Sequence, residues 1–214
     1  MTTGGCDHET DLRETREVPA RPGPEVVERA DGPLVIFLGD SLSAGYGLSE
    51  AEAYPALLAR RLQTGGIPAR IVNAGVSGDT TAGGLARVDW LLSQSPDVVV
   101  VELGANDGLR GLSLVETEQN LDEIIRRCLA AGTSVLLMGM KIPPSYGPDY
   151  SEGFAALFQE LAETHAIAFM PFLLEGVAAV PDLNQADGIH PNAAGHRLLA
   201  KSVEPYLVGV LEGL

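Results

Sequence analysis

Ser41 stands in Gly39-Asp40-Ser41-Leu42-Ser43-Ala44-Gly45, directly after an apolar run and among small neighbours that leave its hydroxyl accessible. A serine hydroxyl is a weak nucleophile until a base removes its proton, so chemistry there requires a histidine oriented by an acid. Four histidines are available. His8 lies in a polar N-terminal stretch, His165 ends a helical pattern and His196 sits inside another, so each has an ordinary surface reading. His190 differs, because it occurs in Asp187-Gly188-Ile189-His190-Pro191-Asn192, where Pro191 suits the first turn of a following helix and fixes the loop before it. An acid three residues earlier on one tight turn can reach back to Nδ1 and leave Nε2 free to face the serine. Asp-x-x-His alone is a weak signal, and it gains weight only in company.

Two further loops supply that company. Asn73-Ala74-Gly75-Val76-Ser77-Gly78-Asp79-Thr80 and Gly104-Ala105-Asn106-Asp107-Gly108 are rich in glycine and in amide donors. Acyl transfer places negative charge on the former carbonyl oxygen, and each preorganised donor there is worth roughly 3–4 kcal/mol. The candidate donors are the N–H groups of Ser41 and Gly75 and the side chain of Asn106. Asp40 reads as a helix cap, while Asp107, Ser43 and Ser77 read as residues that brace turns. The stretch Lys141 to Tyr150 combines prolines with tyrosines, and either lines an acyl or aryl pocket or forms an ordinary connection. Neither His-Glu-x-x-His nor Cys-x-x-Cys occurs, so neither metal nor cofactor is expected.

Positioning these loops falls to short apolar runs that alternate with amphipathic segments. Leu34 to Leu38, Arg70 to Val72, Val98 to Leu103, Val135 to Met138 and Ile167 to Met170 read as strands, most without the polar alternation of a half-exposed sheet. Leu121, Ile124, Ile125, Cys128 and Leu129 repeat at helical spacing, as do Phe154, Leu157, Phe158, Leu161 and Ala162. Weaker helical patterns cover Tyr54 to Leu62, Leu85 to Leu92 and Leu199 to Val210, and Ser49 with Glu52 is placed to cap the first of these. Five strands alternating with five helices predict a mostly parallel sheet with helices on both faces. Ligands then bind beyond the carboxyl ends of the strands, where the loops above lie.

The chain is long enough, at 214 residues, for one substantial core. Residues 1–32 are rich in charged residues and proline and poor in large apolar ones, which predicts a flexible leader ahead of a catalytic domain over 33–214. A formal charge of −15 repels nucleic-acid phosphates and anionic membrane surfaces, so nucleic-acid binding is not expected. Only Cys6 and Cys128 are present, in settings that disfavour a disulfide. No apolar run is long enough for a membrane span, so the chain reads as soluble as written. Thr3-Gly4-Gly5-Cys6 resembles the start of a lipid-anchored protein after its signal segment is trimmed, which keeps a periplasmic, secreted or anchored precursor open.

Taken in order, Ser41, Gly75, Asn106 and His190 resemble the four blocks of the SGNH subgroup of the GDSL hydrolase family. Gly39-Asp-Ser-Leu-Ser-Ala-Gly-Tyr-Gly, Ser77-Gly-Asp-Thr and Glu102-Leu-Gly-Ala-Asn-Asp-Gly-Leu-Arg are most similar to its bacterial lysophospholipase, thioesterase and arylesterase branch. The resemblance spans about Pro33 to Leu211. It implies a flavodoxin-like three-layer α/β/α fold with a five-stranded sheet, and hydrolysis of small-molecule acyl esters and thioesters without cofactor. It also implies a Ser41–His190–Asp187 triad with an oxyanion hole from Ser41, Gly75 and Asn106. Carbohydrate deacetylation and acyl transfer could use the same machinery. A flavodoxin-like module holding a phosphate or flavin on the Gly39 to Gly47 loop is a more distant reading, unsupported by any Gly-x-Gly-x-x-Gly.

Overall fold

The structure, a computed structural model, describes residues 1–2 and 32–214. Five strands, β1 (Leu34–Gly39), β2 (Arg70–Asn73), β3 (Val98–Glu102), β4 (Ser134–Met138) and β5 (Ala168–Met170), form one parallel sheet in the order β2-β1-β3-β4-β5. The run Val98 to Val101 is wholly buried at the sheet centre, as β-branched residues covered on both faces should be. Edge strand β2 instead alternates exposed and half-buried positions.

The helices are α1 (Ser41–Ala44), α2 (Tyr54–Thr64), α3 (Thr81–Leu92), α4 (Ala105–Leu109), α5 (Leu114–Ala130), α6 (Pro148–His165) and α7 (Ala193–Leu211). α2 packs with α7, while α3 packs with α5 and α5 with α6, which builds the two helical layers around the sheet. The α/β fold and its parallel sheet agree with the sequence reading, but among the described residues seven helices replace five. The additions, α1 and α4, are single turns inside the loops that carry Ser41 and Asn106. Helices of four or five residues are too short to show an apolar period.

Other expectations change. Ser49 and Glu52 do form a capping box, yet it closes a 3-10 turn over Glu50–Glu52, and α2 starts only after Ala53. His196 is buried rather than a surface residue, and its Nδ1 accepts the Tyr54 N–H at 3.1 Å. Cys128 is buried with a free thiol, which desolvation pushes up to about 12. The leader, with Cys6 and His8, lies outside the described residues apart from its outermost positions. No helix among the described residues is long and apolar enough to cross a membrane.

The register aligns the strand ends that matter. Gly39 at the end of β1 pairs with Glu102 at the end of β3, so the turns carrying Ser41 and Asn106 leave the sheet side by side. Arg87, on α3, ties two of these loops together by donating to the carbonyls of Gly39 (2.9 Å) and Ala74 (2.6 Å) while pairing with Asp79 (2.8 Å).

Candidate active site

The chain leaves β1 through Asp40, whose carboxylate accepts the Leu42 N–H at 2.9 Å and caps α1. Ser41 is the first residue of that helix, so its N–H has no intrahelical carbonyl to bond. Its Oγ lies 3.0 Å from Nε2 of His190. His190 Nδ1 is 2.7 Å from Asp187 Oδ2, while Asp187 Oδ1 accepts the N–H groups of Ile189 and His190, both at 3.0 Å. These backbone bonds, with the His190 ring beside them, hold the Asp187 carboxyl down at about 2. The turn therefore presents an ionised acid to one imidazole nitrogen and the serine to the other.

Asn106, in the first turn of α4, donates from Nδ2 to Asp40 Oδ2 at 2.9 Å. Its amide has a second N–H, and the side chain lines the same cleft as Ser41 and His190. Gly75 packs so closely on Ala44 N and the Asp40 carbonyl that a Cβ there would clash. Its N–H donates to Asn73 Oδ1 at 3.0 Å, and Asn73 Nδ2 donates to the Ser43 carbonyl at 2.6 Å. The structure thus brings Ser41, His190, Asp187 and Asn106 together, and sets Gly75 behind the serine turn with its N–H already engaged.

The cleft has a volume of about 400 Å³. Its walls are Leu42, Leu109, Met140, Ile142, Pro143, Pro144, Phe172, Leu174 and Ile189, with Lys141 at 4.9 Å over the Phe172 ring. Of the three prolines in the Lys141 to Tyr150 stretch, Pro143 and Pro144 line it. The tyrosines do not: Tyr146 and Tyr150 turn away to donate to the carbonyls of Leu109 (2.8 Å) and Leu112 (2.6 Å). No group of three or more potential metal ligands occurs among the described residues.

The sequence profile of the GDSL-like lipase/acylhydrolase family matches residues 37–198, well over half of the chain. The chain belongs to this family. Among GDSL relatives, it is 43% identical over 187 residues to esterase TesA of Pseudomonas aeruginosa, covering 87% of this chain and 93% of that protein. It is 41% identical to an arylesterase of Vibrio mimicus, covering 81% and 88% of the two chains. A thioesterase 1/protease 1/lysophospholipase L1 of Escherichia coli is 44% identical, covering 78% of this chain and 79% of its own. Among solved structures, the psychrotrophic esterase EstA of Pseudoalteromonas superimposes with a TM-score of 0.81 at 36% identity, over 84% of this chain and 99% of that one. The chain is accordingly an enzyme of the GDSL esterase type.

Several residues of this GDSL site escape sequence reasoning. Tyr46 sets its ring 4.6 Å from that of His190. Gln185 ties the histidine turn to the serine turn, because its N–H donates to the His190 carbonyl at 2.7 Å and its Nε2 to the Tyr46 carbonyl at 2.7 Å. Neither residue type marks chemistry, so neither stands out in a sequence. Glu102 does leave a signal, as a lone acid at the end of an all-valine run. It is fully buried, and its Oε2 accepts from Ser43 Oγ (2.6 Å), Ser43 N (3.1 Å) and Asp40 N (3.3 Å).

Proposed function

We propose that this enzyme hydrolyses carboxylic esters through an acyl-enzyme on Ser41, with His190 as general base and Asp187 as the group that orients it. The observation that carries this reading is the unbroken path from Asp187 Oδ2 through His190 to Ser41 Oγ, at 2.7 and 3.0 Å, opening into a cleft of mostly apolar walls. His190 takes the serine proton as Oγ attacks the carbonyl, and Asp187 stabilises the imidazolium and keeps its Nε2 toward the serine. The oxyanion falls to Ser41 N–H and the free N–H of the Asn106 amide, with Gly75 N–H joining if it shares or releases its bond to Asn73. His190 then protonates the leaving alcohol or thiol and activates water to free the acid.

Apolar walls favour aryl and short-to-medium acyl esters, and the same geometry serves thioesters and lysophospholipids, in keeping with the names of the relatives. A sugar-lined deacetylase cleft would carry more polar side chains than this one does. The test is hydrolysis of p-nitrophenyl esters of increasing chain length by the wild type and Ser41→Ala. The variant is expected to lose at least about 1000-fold in kcat while folding normally, and the chain-length profile of the wild type sizes the cleft. Equal turnover by both proteins would remove Ser41 from the mechanism.

A further inference from the structure

Glu102 is an odd residue to find where it is. Its carboxyl is wholly buried among apolar strands at the end of β3, without a cation bonded to it. All three donors that reach it, from Asp40 N, Ser43 N and Ser43 Oγ, converge on Oε2. Oε1 is buried and receives no hydrogen bond from the described residues. A buried carboxylate should collect donors on both oxygens, whereas a carboxylic acid needs them on one and offers a proton from the other. The neighbouring acid is Asp40, whose own N–H donates to Oε2 at 3.3 Å and whose charge acts on Glu102.

We infer that Glu102 is a positioning residue that works as a neutral acid: its retained proton is donated to Asp40, which fixes Asp40 as the acceptor that aims Asn106 and caps the Ser41 turn. The role rests on Ser41 being the nucleophile. Two adjacent buried carboxylates cannot both ionise at modest cost, so one must keep its proton. The groups that face Glu102 decide which. Asp40, from the turn after β1, is stabilised as an anion by Leu42 N–H, by Asn106 and by the nearby His190. Tyr54, from α2, brings a neutral hydroxyl that reaches Glu102 only through Ser43 Oγ, at 2.9 Å. The Arg87 guanidinium, from α3, is spent on Asp79 and two carbonyls. Burial and the Asp40 charge both push the Glu102 carboxyl well above the usual carboxylate range.

Space around the pair is tight. A Cβ on Gly39 would come within 2.6 Å of Glu102 Oε2, so the glycine that ends β1 lets this carboxyl approach the serine turn. Neutrality of Glu102 predicts that an amide can replace it. In Glu102→Gln the amide oxygen accepts from Ser43 and Asp40 N–H while the NH2 group donates to Asp40.

The experiment compares Glu102→Gln and Glu102→Leu with the wild type on p-nitrophenyl butyrate, with Ser41→Ala in parallel. Circular dichroism and phosphonate titration count the folded, serine-competent fraction. We expect Glu102→Gln to keep kcat within about threefold, and Glu102→Leu to lose roughly 10–100-fold in kcat per competent site at nearly constant KM, the range for a lost hydrogen bond to a charged group. Infrared spectra at neutral pH should show a protonated-carboxyl band in the wild type that Glu102→Gln lacks. The inference is overturned if Glu102→Gln loses as much as Glu102→Leu per competent site, if Glu102→Leu loses nothing, or if the band is absent. Should Glu102→Leu fail to fold, the Gln variant and the band decide alone. Activity surviving in Ser41→Ala would instead sink the nucleophile assignment, which the infrared band does not touch.

Discussion

Asp40 performs two tasks with one carboxylate, capping α1 through Oδ1 and holding Asn106 through Oδ2, each at 2.9 Å. A hydrogen bond to a charged group contributes about 1.5–3 kcal/mol, so Asp40→Asn should lower kcat/KM roughly 10–100-fold with little change in fold. Burial is the main reason its carboxyl is pushed up to about 6. The ionised, accepting form is then lost as pH falls through that value. Wild-type kcat/KM on a neutral ester should therefore carry an acid-side loss centred near pH 6 that Asp40→Asn lacks, measured between about pH 5 and 8. Identical acid limbs in the two proteins would show that Asp40 titrates elsewhere. At this scale the sequence marks Ser41, Asp187 and His190 as candidates, because the proposed nucleophile creates a demand that few other residues meet. It hides the second use of Asp40, since a cap and a brace for Asn106 look alike until α4 is placed beside α1.

Among the elements, the contact between α7 and α2 depends on a histidine the sequence assigns to the surface. His196 Nδ1 accepts the N–H of Tyr54 at the start of α2, and Tyr54 in turn stands behind Ser43. Burial, as the largest cause, lowers His196 from 6.5 to about 4. The unfolded chain therefore takes up this proton first as pH falls. The stability involved is fully present above 6.5 and declines as pH drops toward 4. His196→Gln keeps an acceptor for Tyr54 N–H but removes the titration. Its urea midpoint should fall less than that of the wild type between about pH 7 and 4.5, whatever its midpoint at pH 7. Asp40, raised in the fold, works in the opposite direction between 3.8 and about 6, but it is common to both proteins and cancels in the comparison. An equal acid loss in both would remove His196 from the account. Helical period places His196 within α7 but not on its buried side, because Gly195 and His196 give little apolar signal of their own.

For the molecule as a whole, the formal charge of −15 sets up a negative field that distant substrates meet before they meet the cleft. Raising ionic strength from about 0.01 to 0.1 M shortens the screening length from roughly 30 to 10 Å. For an ester with an anionic leaving group, kcat/KM should accordingly rise a fewfold over that range, while a neutral ester of the same acyl group stays flat. Parallel curves for the two substrates would mean that the local charge of Lys141, in the cleft wall, outweighs the field of the whole molecule.

The alternation of buried apolar runs with amphipathic segments is enough to determine a parallel α/β sheet. The serine block at one end of the chain and the Asp187–His190 turn at the other are enough to suggest acyl chemistry, since periodicity and residue type are local properties. Tertiary structure alone decides that Gly39 and Glu102 end adjacent strands, which sets a buried acid behind the serine turn. It also decides that Pro143 and Pro144 face the cleft while Tyr146 and Tyr150 bond to α4 and the chain after it. Such facts depend on distance between segments far apart in sequence. The free energy of a buried polar group is set by the partners it meets there, and those partners are known only once the sheet has brought the loops together.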